Sequence, residues 1–276
     1  MSQAIPQSEI DSFLERGQYD PLYLRFPGTN HLDRMKGGRR ALAEALSAEV
    51  RLRESAVDAQ IHHGLPTDLR AFTRSKVDAM VRGLFRRDEC EAVLSILENS
   101  VVFLTPDNVH DLIQNETPNT AWTIASIYLR SVGADPVSDE APNIVGLSVD
   151  TTCYVSMDYF REDDPFADYV VHETAHVFHN TKRRIAGLKE TRRNVWLLPI
   201  EFQKRETFAY ACEAYSRIRE RAERPADRRM LFEELQDSPP PSDERVDASE
   251  YWAVLSEAVN RRNGWKAILE RCSAKP

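Results

Sequence analysis

The chain has 276 residues, 42% of them hydrophobic and 29% charged, the composition of an ordinary folded protein with room for one large core or two smaller ones. A formal charge of −8 argues against general nucleic-acid binding, and no run approaches the ~18 apolar residues of a membrane span. The polar start MSQAIPQSEIDSFLERG has no signal-peptide pattern, and Cys90, Cys153, Cys212 and Cys272 form no CxxC pair, so a reducing, cytoplasmic setting without disulfides is expected.

In chain order, Leu42, Leu46, Val50 and Leu52 predict an amphipathic helix over 31–60 with a broad wet face. Thr67-Asp68 offers an N-cap for a second helix reaching Phe85, with Val77, Met80, Val81 and Leu84 facing inward. A third helix spans 89–97, a fourth starts at Thr105-Pro106-Asp107, and a fifth follows Thr117-Pro118 and ends near Gly133. After Pro136 the texture changes. The runs 143–149 and 152–157 are rich in β-branched and aromatic residues, with turn chemistry at Asp150-Thr151, and read as two strands. The stretch 152–157 is the candidate edge to which an extended substrate could add.

A largely buried helix is predicted over 165–182, opened by the acidic turn Glu162, Asp163, Asp164. The following loop, 182–198, carries six basic residues against one acidic residue. It reads as a solvated loop, or as an overhang that attracts an acidic partner. Pro199 opens a helix to about Arg221, with Phe202, Ala209, Ala211 and Cys212 as its apolar set. The proline-rich linker 237–243 precedes two short helices, 248–259 and 265–272, expected to dock on the main body.

The chemistry concentrates in the 165–182 helix, which reads His172-Glu173-Thr174-Ala175-His176. Histidines four apart share one helix face, so their imidazoles can bind one tetrahedral Zn²⁺. The glutamate beside the first histidine is then placed to act as general base on a water held by the metal. A third protein ligand is needed. The extension HExxHxxGxxH fails, because His179 stands where glycine is required and Lys182 where histidine is. The next helix offers Glu201, Glu206 and Glu213. Glu206 is preferred, since the small Ala209 at i+3 lets the two helices approach; Glu213, two turns on along nearly the same face, is the alternative. Cys212 reads as a small buried hydrophobe, and His179 as a packing or supporting residue rather than a ligand.

HETAH followed by Arg205-Glu206-Thr207-Phe208-Ala209 resembles the gluzincin pattern of HExxH with ExxA on the next helix, and is similar to bacterial ImmA/IrrE-type zinc peptidases. The resemblance covers 150–215, about a quarter of the chain. It departs at Tyr210, where many gluzincins carry Asp or Asn. With the elements read above, it gives an α+β, mostly helical fold: a helical region over 1–135, a zincin-like core with a small sheet over 136–236, and C-terminal helices over 237–276 packed on that core. It also implies a Zn²⁺ cofactor on His172, His176 and Glu206, with Glu173 catalytic and Tyr210 or Tyr215 as a donor to the oxyanion. The expected function is hydrolysis of a peptide bond in a specific protein substrate, by analogy a regulatory protein. Two rival readings are a catalytically silent zincin-like module that binds partners, and a helical interaction protein whose HETAH is accidental.

Overall fold

The structure is a computed structural model, and it describes residues 5–57, 66–192 and 194–274. Among these the chain forms eleven α-helices and one three-stranded mixed sheet, the α+β, mostly helical class predicted from the sequence. The elements are α1 (Gln7–Arg16), α2 (His31–Glu54), α3 (Leu69–Leu84), α4 (Cys90–Ser100), β1 (Val101–Phe103), α5 (Val109–Asn115), α6 (Pro118–Ser131), β2 (Gly146–Val149), β3 (Thr152–Val155), α7 (Tyr169–Asn180), α8 (Arg205–Arg221), α9 (Pro225–Gln236), α10 (Ala248–Asn260) and α11 (Gly264–Cys272).

Local chemistry accounts for many of the helix starts. The side chains of Asn30, Asp68, Thr117, Asp168, Asp247 and Asn263 each accept a backbone N–H from the first turn of α2, α3, α6, α7, α10 and α11 respectively. Two predicted boundaries are corrected. The motif helix starts at Tyr169 rather than at 165, because Asp168 and not the acidic 162–164 turn satisfies its free N–H groups. Likewise α8 starts at Arg205, after a short 3-10 turn at Phe202–Lys204. Helix α2 ends at Glu54, and the expected continuation over 58–60 lies outside the described residues.

The chain divides into two compact units that interleave in sequence: Met1–Leu65, Phe103–Leu147 and Ser156–Phe160 form one, and Pro66–Val102, Ser148–Val155 and Arg161–Pro276 form the other. In the first, α2 packs on α5 and α6 around the fully buried Leu42, Leu46, Val50 and Tyr128. The Tyr128 hydroxyl donates to Glu54 at 2.5 Å, which gives this buried phenol the partner it needs. Gly17 ends α1 at φ 67°, a conformation that strains any residue with a side chain, and a Cβ there would press on the Trp122 ring at 3.1 Å.

The second unit is built on α7 and α8, which lie side by side. Val170, Val171, Val177 and Phe178 of α7 and Phe208, Ala209, Ala211 and Cys212 of α8 are all fully buried. Each large side chain among them contributes roughly 1.5–3 kcal/mol of hydrophobic stabilisation. The alanines keep the separation small, as the sequence predicts. Helix α3, which the sequence groups with the N-terminal region, belongs here: Val77, Met80 and Val81 are fully buried, and α3 packs on α4, α7 and α11. Helices α10 and α11 pack on α8, as expected of the C-terminal helices.

The sheet has the order β1-β3-β2. This overturns the expectation that 152–157 is a free edge, since β3 is paired on both sides and cannot accept another strand. The short β1, too brief to stand out in the sequence, covers it. The edges are β1 and β2. In the basic 182–198 loop Arg184, Lys189 and Arg192 are exposed, as a solvated loop requires. Arg183, the exception among its described basic residues, is buried, pairs with Glu89, and donates to the carbonyl of Lys189 at 2.9 Å.

Candidate metal centre

Helix α7 brings His172 and His176 onto one face, and α8 lays Glu206 against them. The Nε2 atoms of the two histidines are 3.3 Å apart. Glu206 Oε2 lies 3.4 Å from His176 Nε2 and 3.8 Å from His172 Nε2. Four donors set tetrahedrally at about 2.0–2.1 Å from a zinc ion stand about 3.3 Å from one another. The three side chains therefore have the donor types and spacing of three corners of such a site, and the cluster can hold a metal ion.

The remaining sequence candidate, Glu213, is also at the centre, in another capacity. Its Oε2 lies 3.0 Å from His172 Nδ1, while Oε1 accepts the backbone N–H of Asp168 at 2.8 Å. A carboxylate on Nδ1 fixes the proton there, so Nε2 presents its lone pair toward His176 and Glu206. Glu206 and Glu213 thus divide the two nitrogens of one imidazole. They can do so because residues seven apart on α8 stand on nearly the same face.

Three glutamates crowd this pocket. Burial opposes a charge on His172, but the hydrogen bond and charge of Glu213, with Glu173 and Glu206, outweigh it and raise its pKa to about 9. For Glu206 burial again opposes ionisation, and His176, His172 and Arg245 overcome it, holding the carboxyl below its ordinary range. So much negative charge around donor atoms with open lone pairs suits a divalent cation, which would take the place of the His172 proton.

Glu173, next to the first histidine, is 8% exposed. Its Oε2 accepts the hydroxyl of Ser148 from β2 at 2.6 Å, and its backbone carbonyl accepts the Cys153 thiol from β3 at 3.3 Å. Sequence reasoning passed over Ser148, because a serine in a strand carries no sign of which helix it faces. Burial drives the Cys153 thiol far above its ordinary pKa, so it stays protonated as a donor.

The two tyrosines part company. The ring of Tyr210 meets His172 edge-on, with centroids 4.4 Å apart. Burial, followed by the charges of Glu213, Asp243 and Glu206, pushes its pKa up to about 12, so it keeps its proton. Tyr215 is not brought to the centre. It is buried against Trp265, and its hydroxyl lies 3.2 Å from Arg228 Nη1. Its position nine residues beyond Glu206 carries it away along α8. His179 packs edge-on against His176 at 5.3 Å, and burial, with the charges of His176 and Arg205, lowers its pKa to about 3. It is a neutral neighbour and no part of the donor cluster. Cys212 is fully buried, as expected.

Arg245, from the α9–α10 loop, is the group that no motif announced. Its Nη1 lies 2.6 Å from Glu206 Oε1, and its Nη2 lies 2.5 Å from Asp243 Oδ2. No local signal ties a residue so far along the chain to the HETAH helix. Comparisons with protein-family models, with curated proteins and with solved structures find no match for this chain.

Proposed function

We propose that the protein is a gluzincin-type zinc metallopeptidase that hydrolyses a peptide bond in a specific protein substrate. The observation that carries this reading is the convergence of His172 Nε2, His176 Nε2 and Glu206 Oε2 at tetrahedral spacing, with Glu173 anchored beside them. Zinc, when bound, polarises the scissile carbonyl and brings the pKa of water toward neutrality.

The chain's own groups carry the proton steps. Glu173 takes a proton from the attacking water and passes it to the leaving nitrogen. Ser148 fixes the orientation of that carboxylate, so its geometry is set before substrate arrives. Tyr210, protonated and beside His172, is the donor for the developing oxyanion. Because β2 is an edge strand and carries Ser148, an extended peptide added to it would run beside Glu173. This reading moves the substrate strand from 152–157 to β2.

A regulatory protein as substrate and a cytoplasmic setting follow by analogy with the ImmA/IrrE-type peptidases. No helix among the described residues is long and apolar enough to cross a membrane.

Two measurements test the proposal. Purified protein should hold one zinc per chain, and Glu173→Gln should keep it. Profiling of new protein N-termini in an extract should show cleavage by zinc-loaded wild type and none by Glu173→Gln. Zinc without cleavage would favour a silent binding module, and a chain that binds no zinc would make HETAH an accident of sequence.

A further inference from the structure

The segment that joins α9 to α10 starts with the three prolines 239–241 and then closes into a fixed turn. The Arg245 backbone N–H donates to Asp243 Oδ1 at 2.8 Å, and the Val246 N–H to the Asp243 carbonyl at 3.0 Å. Asp247 caps α10 two residues later, and α10 packs on α8. The turn is thereby held in place on the helix that carries Glu206.

From this turn Arg245 extends its guanidinium across two carboxylates. Nε and Nη2 take Asp243 at 2.9 and 2.5 Å, and that grip aims Nη1 at Glu206 Oε1, 2.6 Å away. The other oxygen of Glu206 faces the two histidines. We infer that Arg245 is a positioning residue for the metal centre, which ties down one oxygen of Glu206 so that this ligand offers only the other to the ion. The inference rests on the metal-centre reading above.

Exposed ion pairs often contribute little, and the Arg245 side chain is 68% exposed. Its partners are not: the Glu206 and Asp243 side chains are 13% and 16% exposed. The planar fork engages both of them at once, which an ammonium group could not reproduce. A carboxylate on a helix can turn both oxygens toward one cation. With Oε1 held by Arg245 that swing is blocked, and the centre stays at three protein donor atoms with a place left for water.

Cobalt(II) is the probe, since its visible bands are strong in four-coordinate sites and weaken when coordination number rises. Arg245→Met keeps the length of the side chain and removes every donor. It should reduce band intensity, as Glu206 turns both oxygens to the metal. The metal-free variant should melt at the wild-type temperature, which separates this outcome from misfolding. Arg245→Lys, whose ammonium cannot hold Asp243 and Glu206 at once, should give bands between those of wild type and Arg245→Met. An unchanged spectrum in Arg245→Met would overturn the inference and leave the metal centre standing. Failure of the wild type to bind Co²⁺ would overturn both.

Discussion

The two glutamates on α8 show how little separates a candidate metal ligand from a supporting group. Glu206 and Glu213 share a helix face, and both touch His172, one on the Nε2 side and the other on Nδ1. The difference is that only Glu206 also reaches His176 Nε2, at 3.4 Å. Glu206→Ala should therefore abolish stoichiometric zinc. Glu213→Gln should keep one zinc per chain but weaken its binding by about 10–100-fold, the usual cost of losing the carboxylate behind a ligating histidine. Competitive titration with a chromophoric chelator measures both; loss of zinc in the second variant alone would exchange the two assignments. Tyr210, between the two glutamates on the helix, packs its ring edge-on against His172.

At the scale of the element, the motif helix depends on its first turn. Asp168 caps α7 through the Val171 N–H, and its own N–H is held by Glu213. Lys76 from α3 lies 2.7 Å from its carboxylate, and their side chains are 12% and 0% exposed. Burial raises the pKa of Asp168, against the pull of Lys76 and the cap hydrogen bond. Two losses are therefore separable. Asp168→Ser keeps the cap and removes the charge, leaving Lys76 with Glu220 at 2.5 Å. Asp168→Ala removes both, and should cost about 0.5–2 kcal/mol more than the serine variant, the usual contribution of an N-cap. Urea denaturation of the metal-free proteins decides it, and equal midpoints for the two variants would deny the cap any role. The strands carry a different lesson. Their composition marked them in the sequence, but strand order depends on pairing partners far apart along the chain, and the three-residue β1 gave no pattern to read.

At the scale of the whole molecule, the C-terminal residues belong to the same compact unit as the candidate metal centre. Helices α10 and α11 cover α8, and Gly83 of α3 leaves the room that Trp265 of α11 fills. Val254, Leu255, Ala258, Val259 and Ile268 are fully buried. Ending the chain after Gln236 would uncover this surface and remove Arg245 as well. The shortened protein should lose its cooperative thermal transition and its zinc together. Circular dichroism melting with metal analysis checks this; retention of both would show that 237–276 can be dispensed with.

The sequence alone determined most of the helices, the cap of α3 at Asp68, and the pairing of His172 with His176, because each depends on residues within a turn or two of one another. It also brought Glu206 and Glu213 forward as the competing acids, since helical periodicity sets them on one face. Their division of labour was decided only by the packing of α7 on α8. The Ser148 contact to Glu173, the covered position of β3 and the reach of Arg245 to Glu206 were likewise decided by tertiary structure. Each joins residues more than twenty positions apart, or depends on a strand order that no local pattern encodes.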